Sequence, residues 1–460
     1  MGSKQILQQI IAFISGRKKT FDNRLFIIAI VCFILALIYI PKNNTKFLKT
    51  EIVFQQWWEE KMPPHTLKEL INEFESVNTD IKIKIDTKTQ DEVKNNLFAY
   101  IKMQKESVVT ETKAKKEVIK LPDIIAFDPM WIDNPDDLEF LETLTDYFTE
   151  DYTDNIIDKK SLLINSFINV LYYNIPFLSN ANFDRPPKTQ ADFLKYARAI
   201  KEQNKFAYSL SSDYFNEIFP WLVTSGVDFP LIKDDSLENN RFNFASSKTF
   251  SATLDFFNTL KSEEIFNYNN KLLDADEKIA AFCSEKVPMI IAPSYELAKI
   301  KQINSKLNFS ITTVPYSDEY PPKTVFFVTN KNIALLSSSK NKDAAVKFMD
   351  FLLQKKQELF LYFHSYPDSG IDGGKNNAVN IDGDNELLVT GQQKIIENPL
   401  YIKLKGMYKT EDLVFASSIF KSCTQAEKKF NKEIDLMFNN GRSSIETAKA
   451  IQKNYEKKEY

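Results

Sequence analysis

The sequence predicts an α/β protein built as two lobes. Three observations carry that expectation. Between Thr50 and Ile85 the apolar period switches from two residues to 3.6 and back to two, the signature of a βαβ unit. Strand patterns go on alternating with helix patterns to the end of the chain, which places it in the α/β class. At 460 residues the chain is also too long for one small core.

The elements follow in order. Ile52 to Phe54 is a short apolar strand running into Trp57, Trp58, Glu59 and Glu60. Leu67, Leu70, Ile71 and Phe74 share one helix face, and Ile81, Ile83 and Ile85 alternate with lysines in a strand. Gln104 to Lys120 interrupts the pattern and reads as a surface excursion. Leu121 to Phe127 is a buried strand, with Asp128, Met130 and Trp131 in the loop after it. Asn169 to Asn174 and Val287 to Ala292 are further strands. Thr189 to Asp192 has capping-box spacing ahead of the helix of Phe193, Leu194, Ala197 and Ile200. Asp343 opens a helix whose apolar face is Ala344, Ala345, Phe348, Phe351 and Leu352. Ser365 to Asp384 is a glycine-rich loop, and terminal helices begin near Ile434. There is no internal repeat.

Charged residues make up 26% of the chain and apolar residues 43%, as in ordinary globular proteins, so global disorder is excluded. A net charge of −3 lacks the basic signature of a nucleic-acid binder. Cys32, Cys283 and Cys423 are the only cysteines; two buried thiols in the globular part is the simpler reading, one disulfide the other.

The N-terminus carries an address. Leu25 to Ile40 holds no charge and follows Lys4, Arg17, Lys18, Lys19 and Arg24, the order that directs a chain into export with its basic end inside. The expectation is a cytoplasmic basic segment over 1–24, an uncleaved transmembrane signal anchor over 25–41 and a tether over 42–49. The alternative is a lipoprotein processed at Cys32, against which the apolar run continuing beyond Cys32 argues.

Catalysis has little support. His65 and His364 are the only histidines and lie far apart in the chain. No nucleophile elbow, zinc-protease, phosphate-loop or dinucleotide-binding motif occurs, and no Cys/His cluster has metal-ligand spacing. Asp368, Asp372, Asp382 and Asp384 lack the EF-hand register, so a solvated loop is expected there and no cofactor or metal.

Six blocks in order resemble the family 1 extracellular solute-binding proteins, the maltose-binding-protein-like receptors of ABC importers. They are the strand with Trp57-Trp58-Glu59 and its helix; Pro122 to Ile132; Val170 to Ile200 (VLYYNIPFLSNANFDRPPKTQADFLKYARAI), the most specific; Trp221 with Gly226; Phe282 to Leu297; and Val314-Pro315 followed by Ser339 to Tyr362. Departures are Glu285 where the family has Gly, Pro293-Ser294-Tyr295 in place of Gly-Ser-Trp, and Val325-Phe326-Phe327 in a crossing segment that is usually glycine-rich.

The resemblance implies a periplasmic-binding-protein-like fold of class II type that closes on ligand between its lobes. It implies an N-terminal lobe of 50–173 and 293–325, a C-terminal lobe of 174–292 and 326–460, and crossings near Tyr173-Asn174, Ala292-Pro293 and Phe326-Phe327. The implied function is capture of a small polar solute, a carbohydrate first of all, outside the cytoplasmic membrane and delivery to the transmembrane subunits of an ABC permease. A diverged sensor or interaction module with the same fold is the alternative. Sugars present apolar faces and rims of hydroxyls. The expected plates are therefore Trp57, Trp58, Trp131, Trp221 and Tyr295, and the expected hydrogen-bonding groups Glu59, Asp128, Asn174 and Glu296.

Overall fold

In the computed structural model, the described residues are 49–63, 65–109, 121–128, 131–132, 135–148, 156–157, 159–203, 206–229, 242–266, 273–318, 325–364, 398–408, 412–415 and 423–456. The basic segment 1–24, the apolar run 25–41 with Cys32, and the loop Ser365–Asp384 lie outside them. Among the described residues no helix is long and apolar enough to cross a membrane.

The opening βαβ unit forms as its periodicity predicts. Strand β1 (Thr50–Gln56) is buried from Ile52 onward. Helix α1 (Thr66–Val77) buries Leu67, Leu70, Ile71 and Phe74. In β2 (Ile81–Thr87) Ile81 and Ile83 point inward while Lys82 and Lys84 face solvent. Helix α2 spans Gln90–Val109, so the expected surface excursion starts as helix. Strand β3 (Ile124–Phe127) pairs parallel with β1.

Two long antiparallel strands organise the rest. Strand β5 (Ser161–Asn174) and strand β8 (Val325–Leu335) pair with each other from Leu162↔Ile333 to Ile168↔Val328. On one side β8 continues the first sheet by pairing with β3. Beyond Ile168, β5 enters a second sheet and pairs with β6 (Met289–Pro293) and β7 (Phe309–Thr312). The main sheet order is β2-β1-β3-β8-β5-β4, with the two-residue β4 (Ile156–Ile157) at its edge.

The buried side chains divide along these strands. One core holds Phe54, Trp58, Phe74, Ile124, Phe167 and Ile333, closed by α9 (Lys342–Gln354) and α10 (Lys356–His364) through Phe348, Leu352 and Phe363. Beyond the switch at Ile168 lie two further cores. One is built on Tyr172, Phe282, Ile290, Ile300 and Phe309, the other on Phe193, Trp221, Phe257, Phe430 and Ile451. The expected lobe division therefore differs from the packing. Segment 293–325 was assigned to the first lobe, yet its β7 pairs with the second-lobe end of β5. The helices of 342–364 were assigned to the second lobe but pack in the first core. Repeated apolar faces mark helices equally well in either lobe, so periodicity alone does not assign them. Near Ala292-Pro293 the chain remains with the second sheet, because Ser294 N donates to Ile168 O at 2.8 Å. The strand expected at Asn169–Asn174 begins eight residues earlier, at Ser161, and is itself a crossing.

Helix ends follow their capping chemistry. Thr189 caps the helix Gln190–Lys201 by accepting from Asp192 N at 3.1 Å. The reciprocal half of the expected box is replaced by Arg185, whose guanidinium binds the Asp192 carboxylate at 2.9 Å. Glu285 has φ of 59°, in the left-handed region. That is why the family resemblance has glycine there and why Glu285 is a departure with a backbone cost.

Candidate functional site

Strand β1 ends in the 3-10 turn Trp58–Lys61, which sends its two tryptophans in different directions. Trp58 is fully buried in the first core, edge-on to Phe54 and Phe363 at centroid separations of 5.7 and 6.2 Å. Trp57 turns toward Trp131, with ring centroids 5.0 Å apart. Both rings belong to the first core, and the strand-to-turn geometry gives them different partners within it: Phe54 and Phe363 for Trp58, Trp131 and Lys331 for Trp57.

Across that junction stands Tyr295, which begins helix α8 (Glu296–Ile303). Its helix belongs to the second lobe, yet its ring packs with the first core, edge-on to Phe167 at 5.3 Å. Lys331, from the crossing strand β8, places its ammonium between the two rings: Nζ is 4.8 Å from the Trp57 centroid and 4.3 Å from the Tyr295 centroid. Both distances are within cation–π range. Lys331 is 1% exposed and has no hydrogen bond or ion pair among the described residues. Burial, with Lys61 nearby, pushes its ammonium down to about 7.

Lys61, at the end of the 3-10 turn, reaches Glu296 Oε1 at 2.9 Å and Asp276 Oδ1 at 3.6 Å. Burial opposes its charge, but Glu296 beside it holds the ammonium well above the ordinary lysine range. The other oxygen, Glu296 Oε2, is buried without a hydrogen-bond partner, as is Trp57 Nε1. Asp128 is buried at the carboxyl end of β3, where its carbonyl accepts from Trp131 N at 2.9 Å. On helix Cys423–Asn440, burial and then Asp213 push the half-buried Glu427 up to about 7, with Lys94 and Asp128 also within electrostatic range.

The expected residues divide accordingly. The structure brings together Trp57, Trp131, Tyr295, Glu296 and Asp128. Glu59 is half-buried at the rim, where its carboxylate accepts from Thr87 Oγ1 at 2.6 Å. Asn174 caps the helix Ile175–Asn180 by accepting from Phe177 N, and its amide reaches Glu285 at 3.4 Å, so its polar groups serve the backbone turn. Trp57, Trp58, Trp131 and Tyr295 all belong to the first hydrophobic core, with Trp58 on the side of Phe54 and Phe363, and Trp221 belongs to another core. Trp221, fully buried against Phe193, Phe256 and Phe257 inside helix Tyr214–Thr224, packs the second lobe rather than facing the cluster around Lys331. Its helix is apolar from Ile218 to Val223, so no polar stripe there marks which face meets another element.

Lys61 and Lys331 were not among the expected residues. Lys331 stands in the polar stretch Thr329-Asn330-Lys331-Asn332 of β8, which reads as a solvated segment, so no local signal marks it as buried. Among the described residues no group of His, Cys, Asp and Glu side chains is arranged to hold a metal ion.

Aromatic rings, buried charges and one carboxylate oxygen without a partner thus lie together around Lys331. Residues 60–359 match the bacterial extracellular solute-binding protein family. The chain belongs to that family. Its members are extracellular binding proteins, not enzymes, which places the globular part of this solute-binding protein outside the cytoplasm. No curated protein matches the chain in sequence.

Solved structures share the fold. The ABC substrate-binding protein Lmo0181 of Listeria monocytogenes, in complex with cycloalternan, aligns over 89% of this chain and 99% of its own, with a TM-score of 0.64 and 15% identity. The GacH receptor of Streptomyces glaucescens, solved unliganded and with acarbose and an acarbose homolog, gives 0.65 at 14% identity over 89% and 98% of the two chains. The cyclic α-maltosyl-1,6-maltose binding protein of Arthrobacter globiformis gives 0.61 at 16% identity over 88% and 98%. At such identities the likeness is one of fold: the two-lobed, periplasmic-binding-protein-like α/β architecture.

Proposed function

We propose that this solute-binding protein captures a carbohydrate between its lobes and delivers it to an ABC permease. The observation that carries the reading is the cluster at the junction. Trp57, Trp131 and Tyr295 supply flat apolar faces with Lys331 Nζ beside two of them, while Trp57 Nε1 and Glu296 Oε2 are a donor and an acceptor without protein partners. A saccharide matches both properties, because its C–H faces stack on rings and each hydroxyl donates and accepts. That three fold relatives were solved with, or named for, saccharides or acarbose supports the same solute class.

No bond is made or broken in this function. Contacts with both lobes supply the closing energy, and closure is recognised by the permease. The apolar run 25–41 is the proposed tether, with lipidation at Cys32 as the alternative anchor. Membrane fractionation separates the two. Deleting residues 1–41 releases the protein under either reading, whereas Cys32→Ser releases it only if the anchor is a lipid.

The solute assignment is tested by thermal unfolding of the full-length protein against mono- and oligosaccharides, polyols and amino acids. A ligand of the folded state stabilises it by about 2.7 kcal/mol at a hundredfold excess over Kd. A rise confined to one saccharide class is expected; a rise only with amino acids, or with no compound, contradicts the assignment.

A further inference from the structure

We infer that Ser294-Tyr295-Glu296 is a clamp that holds the two lobes together through protein contacts alone, so that the cleft admits a solute only when the clamp lets go. The inference goes beyond the carbohydrate reading and does not depend on which solute is bound.

The backbone of this segment is fixed to the second lobe. Ser294 N donates to Ile168 O at 2.8 Å, where β5 enters the second sheet. The Tyr172 hydroxyl, rooted in the core of Phe282 and Phe309, is shared between Pro293 O at 3.0 Å and Ser294 O at 3.1 Å. Pro293, at the end of β6, locks its own φ and so removes one pivot from the chain. Helix α8, which follows, buries Leu297 and Ile300 in the same core.

The three side chains reach the other way. Ser294 Oγ lies 2.9 Å from Nε2 of His364, the last residue of α10, whose neighbour Phe363 is in the first core. His364 Nδ1 lies 2.7 Å from Phe360 O, which can only accept; Nδ1 therefore carries the proton, and Nε2 accepts from Ser294 Oγ. The Tyr295 ring belongs to the first core, edge-on to Phe167 at 5.3 Å, with the Lys331 ammonium 4.3 Å from its centroid. Glu296 Oε1 accepts from Lys61 Nζ at 2.9 Å, and Lys61 also lies 3.6 Å from Asp276 Oδ1 on the second-lobe helix Ala275–Cys283. Three consecutive residues thus place a hydrogen bond, a buried ring and a buried ion pair across the junction.

All three contacts resist the same motion. Parting the lobes would draw the Tyr295 ring out of the first core, leave His364 Nε2 without its donor and separate Lys61 from Glu296. Every partner is a protein atom, so the contacts do not wait for a solute to complete them. They stand on adjacent residues of one segment, so they break together. Solute entry then requires the released form, and the apparent affinity is lowered by the fraction of molecules in that form.

The test places spin labels on the two lobes of the full-length protein, at Val77 and Ile445, which are 76% and 54% exposed. A ketone-bearing unnatural amino acid at each position carries the label and leaves the three cysteines unmodified. The distance between the labels is measured by pulsed electron paramagnetic resonance with no solute added. Wild type is expected to give one narrow distance, with a second, shifted distance in fewer than about a tenth of the molecules. Ser294→Ala should raise that second population about twofold to tenfold. Lys61→Gln, which strands the Glu296 charge until the lobes part, should raise it further. Cooperative melting of each variant establishes that it is folded. A wild-type distribution divided between two distances in comparable amounts overturns the clamp whatever the variants do. A single narrow distance that both folded variants keep unchanged also overturns it, because the lobes are then held elsewhere.

Discussion

Lys61 Nζ lies 2.9 Å from Glu296 Oε1, and through that pair the 3-10 turn after the first strand is bound to the first turn of α8 in the other lobe. Both side chains are 8% exposed. Removing one partner of a buried pair strands the other charge, at about 3–5 kcal/mol. Lys61→Met should approach that loss, measured by urea unfolding at pH 7. Lys61→Met/Glu296→Gln should recover a substantial part of it, because neither charge is then left alone. A loss in the double variant equal to the sum of the losses in Lys61→Met and Glu296→Gln would mean that the pair is not coupled.

Lys331 predicts an alkaline effect. Its ammonium is held at about 7 when folded, against an ordinary value of 10.5 in the unfolded chain. Between those values the unfolded state binds more protons, so this group makes stability rise with pH from about 7 to 10.5. The difference in melting temperature between Lys331→Met and wild type should therefore be largest near neutrality and shrink toward pH 10. A constant difference would contradict the buried placement of the ammonium.

His364 predicts an acid effect of the same sign. Its Nδ1 lies 2.7 Å from Phe360 O and its Nε2 2.9 Å from Ser294 Oγ, deep beside the crossing strands. Burial pushes the imidazole down to about 3, with the Phe360 contact opposing in part. The unfolded chain takes up a proton near 6.5 while the folded chain does not, so stability falls as pH drops from about 6.5 toward 3. His364→Gln should flatten the slope between pH 5 and 6.5, a range above most carboxylate titrations, as followed by melting temperature. An unchanged slope would assign the acid sensitivity elsewhere.

The four tryptophans should report differently on ligand. Trp57 and Trp131 pack against each other, tilted, on the side of the first core that meets Lys331 and Tyr295, whereas Trp58 packs against Phe54 and Phe363 and Trp221 lies in another core. Trp57→Phe and Trp131→Phe should each remove part of the emission change that a bound saccharide produces; Trp221→Phe should leave it intact while lowering stability. Loss of the signal in Trp221→Phe alone would move the binding surface into the second lobe.

How far the sequence reached is visible at particular residues. The βαβ opening, the Thr189 cap and the strand at Ile124–Phe127 were legible because period and capping chemistry are local. The full length of β5 was not, since Ser161 to Ile168 mixes polar and apolar residues without a clean alternation. The lobe membership of 342–364 was not, because packing partners are non-local. Trp57 and Trp58 are neighbours of the same type, and only the 3-10 turn gives one Trp131 and Lys331 as partners and the other Phe54 and Phe363. Lys61 carried no distinguishing mark in Trp-Trp-Glu-Glu-Lys; its role appears once Glu296 is brought to it from 235 positions away.

The most direct test of the account is a crystal structure of the protein with the saccharide that stabilises it most. The account predicts the sugar ring between the lobes against Trp57 or Tyr295, with a hydroxyl donating to Glu296 Oε2. A saccharide seated away from Lys331, or a complex in which Lys331 and Glu296 keep the partners they have without it, would contradict the account.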